Sequence, residues 1–265
     1  MNKLFLSFFV FTGCFLNAQI NIEKRADFKN LYDSCGLTGI FAVYDSKNDK
    51  YIVYNEEAFN KQYTPASTFK ICNSMIGLET GVISDEDYVI KWDSVKRPVP
   101  AWNSDHDLKT AFRNSTVWYY QELARRVGAE KMKFWLDKTS YGNADTTGGV
   151  DRFWLTGGLK ISPAQQIEFL KKLHDNDLPF TQKSMDVVKK IMLAEETKEY
   201  TLRAKTGWGT EGNTDIGWYV GYVETKNNVY YFVNCIFTDD QKNKFFAKAR
   251  KEIAMEILKR LGAVL

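Results

Sequence analysis

Ile216 to Glu224 (IGWYVGYVE), Thr225 to Asn228 (TKNN) and Val229 to Thr238 (VYYFVNCIFT) follow one another without a break. Aromatic and β-branched residues fill the two outer runs, and the polar quartet between them suits a tight turn, so the stretch predicts two adjacent antiparallel strands. A similar run, Thr201 to Thr206, lies just upstream. Near the start, Gly39 to Asp45 and Lys50 to Asn55 flank Ser46-Lys47-Asn48-Asp49 as a second hairpin. From about Ser67 to Ala194 the apolar period is helical, as in Val117 to Val127 and Ala164 to Leu173, broken by Pro and Gly. Phe28, Leu31, Tyr32 and Cys35 share one helical face before Gly36 and Gly39, which predicts a first helix over 22–35. Phe246, Ala249, Ile253, Ile257, Leu258 and Leu261 form the apolar stripe of a long closing helix whose other face carries lysines. Strands from both ends with helices between them predict an α+β protein: one antiparallel sheet flanked by terminal helices. A helical lobe of about residues 66–195 is inserted after the second strand, and a site is expected in the cleft between lobes.

Composition excludes several classes of function. The chain has 265 residues, 44% of them hydrophobic, and a net charge of +3 with basic and acidic residues interleaved, so no nucleic-acid footprint is present. Two histidines, His106 and His174, stand apart with no His-Glu-x-x-His or Cys-x-x-Cys spacing. That argues against a protein-built metal centre and against serine or cysteine catalysis through a histidine base, and both histidines are expected at the surface. Lys3, an apolar stretch from Leu4 to Leu16 and Ala18 read as a secretory signal over residues 1–18, followed by a single catalytic domain over 19–265. Export to the periplasm is the expectation. Cys14 makes an imperfect lipoprotein box, a weaker alternative to a clipped signal. No other segment has the length of a membrane span. Cys35, Cys72 and Cys235 remain, an odd number that fits buried small apolar residues better than a disulfide framework.

Ser67-Thr68-Phe69-Lys70 follows Pro65-Ala66 and opens a helical run, which sets a hydroxyl and an amine one turn apart. Serine needs a neighbour to take its proton, and lysine can do so once burial removes its charge or its amine is converted to another acid-base group. The N–H groups at a helix start can stabilise an oxyanion. Ser-x-x-Lys alone is common by chance. Ser115-Thr116-Val117 at the head of a helical run and Lys205-Thr206-Gly207 at the end of a strand, in that order, make the combination specific.

With these motifs, Tyr141-Gly142-Asn143, Asp151-Arg152-Phe153-Trp154-Leu155 and Trp208, the chain resembles the penicillin-recognising serine enzymes, and within them the class D, oxacillinase-type β-lactamases. A class A reading fits worse, because Ser115-Thr116-Val117 stands where those enzymes have Ser-Asp-Asn, and no acidic residue replaces the deacylating glutamate near Trp154. The resemblance implies hydrolysis of β-lactam antibiotics, and hence resistance, through an acyl-Ser67 intermediate. Lys70, as N6-carboxylysine formed with CO2 or bicarbonate, is then the base, with no metal or organic cofactor. It further implies an oxyanion hole of the Ser67 and Trp208 N–H groups, Ser115 as proton relay, Val117 in the lysine pocket and Trp154 donating its indole N–H to the carboxylated lysine. Lys205, Thr206, Gly207 and Arg250 would meet the substrate carboxylate, although Arg250 also fits a solvated basic helix face. Tyr141-Gly142-Asn143 would shape the cleft wall, and Trp102 and Trp208 would pack on substrate side chains. Substrate range and oligomeric state are not legible in the sequence.

Overall fold

The computed structural model describes residues 21–265; the expected signal over 1–18 and the anchoring at Cys14 lie outside them. The fold is α+β, built on one seven-stranded sheet in the order β1-β3-β2-β7-β6-β5-β4. Its strands are β1 (Ile22–Lys24), β2 (Thr38–Asp45), β3 (Lys50–Tyr54), β4 (Leu193–Glu196), β5 (Tyr200–Glu211), β6 (Thr214–Thr225) and β7 (Val229–Thr238). The hairpin read from the decisive stretch is present: β6 and β7 pair antiparallel from Asp215↔Thr238 to Glu224↔Val229. Strand β2 pairs with β7 throughout, which joins the two ends of the chain.

Alternation along these central strands divides their side chains between two buried faces. Phe41, Val43, Phe232 and Ile236 face a core shared with the closing helix α8 (Phe246–Arg260), through Ala249, Ile253 and Ile257. Ile40, Ala42, Val233 and Cys235 face the other core, which continues into the inserted helices. Each fully buried side chain of this size contributes about 1.5 to 3 kcal/mol by leaving water. The insertion holds α2 (Lys70–Glu79), α3 (Leu108–Arg113), α4 (Val117–Val127), α5 (Ala129–Thr139), α6 (Pro163–His174) and α7 (Gln182–Ile191). A capping box at Ser162 and Gln165 starts α6. Helix α6 lies along the sheet: the Tyr51 hydroxyl donates to Glu168 at 2.5 Å, and the Lys171 amine sits 3.9 Å over the Tyr44 ring.

Four expectations are corrected. The start of the chain is strand β1, then a 3-10 turn and the short α1 (Lys29–Asp33), where one helix was expected over 22–35. Backbone pairing of Ile22, Glu23 and Lys24 with Tyr51, Ile52 and Val53 overrides the helical spacing there. That pairing is parallel, so the sheet is mixed. The Lys205-Thr206-Gly207 run lies inside β5, which continues to Glu211, because Gly207 and Gly209 serve close packing instead of ending the strand. His106 is 1% exposed, its Nδ1 2.7 Å from the Ser104 carbonyl and its ring edge-on to Trp118, and His174 is half-buried against Tyr222 and Tyr231. Imidazole is amphipathic, and flanking charges gave no hint of these aromatic partners. Among the described residues the three cysteines are free, no helix is long and apolar enough to cross a membrane, and no cluster of three metal-ligating side chains occurs.

Candidate active site

The candidate site forms where the inserted helices meet the free edge of β5. Strand β4 pairs with β5 only at Thr201, Leu202 and Arg203, so from Lys205 onward that edge faces the insertion. The main-chain N–H of Ala204 donates outward to Met192 at 2.9 Å, and β5 keeps an unbroken register with β6 to Glu211. Alternation therefore turns the N–H of Thr206 and of Trp208 to the same edge. A 3-10 turn, Ala66–Phe69, lies against it. A Cβ on Gly207 would stand 3.0 Å from the Pro65 carbonyl oxygen and 3.1 Å from Thr68 Cγ2, so glycine lets the strand approach the turn.

Ser67 sits on that turn and Lys70 begins α2. The Lys70 amine donates to Ser67 Oγ at 2.7 Å, the juxtaposition that Ser-x-x-Lys predicts. Lys70 is 0% exposed and has no carboxylate partner among the described residues. Desolvation pulls its pKa down from 10.5 to about 7, because burial penalises the ammonium and spares the neutral amine. Its surroundings are aromatic. The Tyr120 ring centroid lies 5.1 Å from Nζ, and Phe69 packs on Tyr141, Phe153 and Trp154 at centroid distances of 5.2 to 5.4 Å.

Trp154 is wholly buried, its carbonyl accepts the N–H of Ala66 at 3.1 Å, and its indole N–H has no protein partner. A buried donor left unpaired costs about 1 to 3 kcal/mol, so its position calls for an acceptor. Ala66 holds φ +49°, a left-handed conformation fixed by the bond to Trp154.

Ser115 and Lys205 are brought together from the lobe and the sheet. Helix α3 ends in a tight turn in which the N–H groups of Ser115 and Thr116 reach the carbonyls of Phe112 and Ala111 at 3.1 and 2.9 Å. Ser115 takes the left-handed position, φ +54°, that glycine usually fills, and so stands clear of both helices. Its Oγ accepts from the Lys205 amine at 3.0 Å, and the Thr206 carbonyl accepts from the same amine at 3.0 Å. Lys205 is 4% exposed with only neutral acceptors. Burial, and then the charges of Lys70, Arg250 and Lys251, hold its pKa well below the ordinary lysine value. Such an ammonium favours an arriving anion.

Arg250 occupies the rim. Its guanidinium donates to the Gly207 carbonyl at 2.8 Å and lies 5.3 Å over the Trp208 ring, and its stem crosses Gly217, where a Cβ would meet it at 2.8 Å. It is half-buried beside the site, not a solvated member of the lysine face. Trp208 is 47% exposed. Val117, half-buried, opens α4 two residues after Ser115. Trp102 braces the Ser115 turn: its indole donates to the Asn114 carbonyl at 3.0 Å. Tyr141 is buried in the aromatic cluster, and the Asn143 carboxamide accepts from Lys160 N–H at 2.9 Å and donates to the Gly158 carbonyl at 2.9 Å, so this motif clamps the loop that carries Trp154.

Sequence reading missed two supports. The Lys160 amine donates to Thr64 at 2.7 Å and pairs with Glu211 at 2.5 Å, while Glu211 also accepts from Thr64, tying loop, turn and β5 together. The Gln166 amide donates to Thr68 Oγ1 at 2.8 Å, on the turn beside Ser67. Neither spacing carries a local signal, because the partners lie 51 to 147 residues apart.

Comparison with known proteins supplies the family. The penicillin binding protein transpeptidase domain matches residues 38–259. Beta-lactamase OXA-48 of Klebsiella pneumoniae is 41% identical over 221 residues, 83% of this chain and 82% of its own length. The crystal structure of a class D β-lactamase from Nostoc superposes with a TM-score of 0.86 at 44% identity, over 91% of this chain and 100% of that one. The C-terminal domain of the Bacillus licheniformis BlaR penicillin receptor gives 0.87 at 34% identity, over 93% of this chain and 98% of that one. By the domain match over most of its length and by these identities, the chain belongs to the penicillin-binding transpeptidase family and, within it, to the class D β-lactamases.

Proposed function

We propose that this protein hydrolyses the amide bond of β-lactam antibiotics through an acyl-Ser67 intermediate, and so confers resistance on the cell that exports it to its periplasm. The observation that carries the reading is the Ser67 Oγ at 2.7 Å from the amine of a lysine buried without a counter-charge. Burial makes Lys70 a base near neutrality. Ser67 attacks the lactam carbonyl, and the N–H groups of Ser67 and Trp208 receive the oxyanion. Ser115, linked to Lys205 at 3.0 Å, passes a proton to the leaving nitrogen. Lys205, Thr206 and Arg250 receive the ring carboxylate, an anion that offsets the unpaired charge of Lys205, and Gly207 keeps that strand edge accessible.

The pocket also fits a carboxylated Lys70. Carboxylation needs a neutral amine, which burial favours, and Trp154 offers a buried indole N–H with no other acceptor. When formed, the carbamate supplies an oxygen base for the Ser67 proton and for the hydrolytic water. Trp154 then orients it, and Val117 and Phe69 help keep bulk water from it. Neither a metal ion nor an organic cofactor enters this reading.

A second reading, acylation without turnover, is favoured by the likeness to the BlaR receptor domain. One experiment separates the two: purified mature protein and Ser67→Ala are mixed with a chromogenic cephalosporin and followed through burst and steady state. Sustained turnover by the unaltered protein supports a β-lactamase. A stoichiometric burst without turnover supports a receptor, and the absence of both turnover and an adduct on Ser67 by mass spectrometry overturns both.

A further inference from the structure

One cavity among the described residues stands apart from Ser67. It occupies about 480 Å³ on the other side of Lys205 and Thr206, between α3, the α7–β4 connection and α8. Phe112, Met192 and Tyr219 supply apolar lining, and five cations ring it: Lys109, Arg113, Lys190, Lys205 and Lys251. No acidic side chain lines it among the described residues. Lys109 pairs with Asp87 and Asp107, and Lys190 with Glu86, from outside the lining. Among the described residues Arg113 and Lys251 enter no ion pair. Lys205, buried with neutral acceptors only, forms the boundary with the candidate site. Arg113, Lys251 and Lys205 are thus the three lining cations without a carboxylate partner among the described residues, and on an apolar floor a concave wall carrying them concentrates anions, since low-dielectric walls focus the field.

We propose that this cavity is an anion subsite contiguous with the substrate carboxylate position, taking a carboxylate or phosphate group between Arg113, Lys251 and Lys205. The proposal builds on the function above, with Lys205 shared between the two positions. Its anion is either a second acidic group on the substrate or a free inorganic anion. Because Lys205 is shared, an anion held here competes with the ring carboxylate.

The test uses inorganic phosphate on the full mature protein, at constant ionic strength and chloride, beside the double variant Arg113→Ala, Lys251→Ala. Both side chains are exposed, so the variant is expected to fold. The expected result is competitive inhibition of a monoanionic chromogenic cephalosporin, with Ki raised at least fivefold in the variant while its kcat/KM stays within twofold. A pair of cephalosporins differing only by an added carboxylate identifies the source. A KM at least threefold lower for the dianionic twin, lost in the variant, assigns the subsite to substrate, and phosphate inhibition without that preference assigns it to a free anion. Equal phosphate inhibition and equal twin ratios in both proteins overturn the proposal. Phosphate-dependent thermal stabilisation, read without substrate, keeps the two readings apart. If no β-lactam is turned over and phosphate still raises the Tm of the unaltered protein alone, the proposed function fails and the subsite stands.

Discussion

Trp154 and Ala66 are joined by a main-chain hydrogen bond of 3.1 Å, from the residue that precedes Ser67 to the carbonyl of the residue whose buried indole N–H stands unpaired. The loop over 143–160 and the turn that carries Ser67 are thereby one mechanical unit. Substitutions of the indole can leave this main-chain tie intact and test the side chain separately.

Trp154→Phe keeps the aromatic packing and removes the donor. Deacylation should slow by tenfold or more while acylation changes little, since a lost charge-assisted hydrogen bond is worth about 1.5 to 3 kcal/mol. Rapid-mix kinetics with acyl-enzyme detection should show a retained burst and a lower steady state. Equal losses in both steps would assign Trp154 a purely structural role.

The pH profile follows from Lys70. As pH falls through about 7 the amine takes a proton, loses its capacity as a base and releases any carboxylation. Hydrolysis should fall below that pH, and added bicarbonate should restore part of it. A profile flat to pH 5, or indifference to bicarbonate, would contradict the proposed base.

Stability carries the same group with a definite sign. The folded chain binds the Lys70 proton more weakly than the unfolded chain, whose lysine stays near 10.5, so this group makes stability rise with pH between about 7 and 10.5. Below pH 7 the whole burial penalty applies, on the order of 5 kcal/mol. Lys70→Met should therefore abolish hydrolysis and raise Tm in CO2-free buffer at pH 6. The gain should shrink towards pH 10. A gain independent of pH would show that Lys70 is not held neutral by burial.

Ser115 is non-glycine at φ +54°. Ser115→Gly and Ser115→Ala both remove the hydroxyl that accepts from Lys205, and both should lower kcat/KM by at least tenfold. Glycine relieves the left-handed strain, so its variant should be about 1 kcal/mol more stable than the alanine one in denaturant titration. Equal stabilities would mean that the turn relaxes around alanine.

Gly207→Ala would set a Cβ within 3.0 Å of the Pro65 carbonyl oxygen and 3.2 Å of Trp218 Cβ. Strand and turn must then part by a few tenths of an ångström, which should cost about tenfold in kcat/KM through misalignment of the proposed oxyanion donors. A variant with unchanged kinetics would show that the edge has slack.

Local sequence by itself determined the β2–β3 and β6–β7 hairpins, the α4 and α6 helices, the amphipathic α8 and the one-turn spacing of Ser67 and Lys70. Each depends on periodicity or turn chemistry within a few residues, which a single chain displays. Tertiary structure decided what depends on distant partners. Ile22 to Lys24 became a strand because β3 offered an edge, and His106 was buried because Trp118 packed on it. The unbroken β5 and the left-handed Ser115 came from close packing and from the end of α3. Above all, the pKa of the Lys70 amine falls to about 7 because the fold buries it against Tyr120, and desolvation is a property of the assembled pocket that no four-residue motif contains.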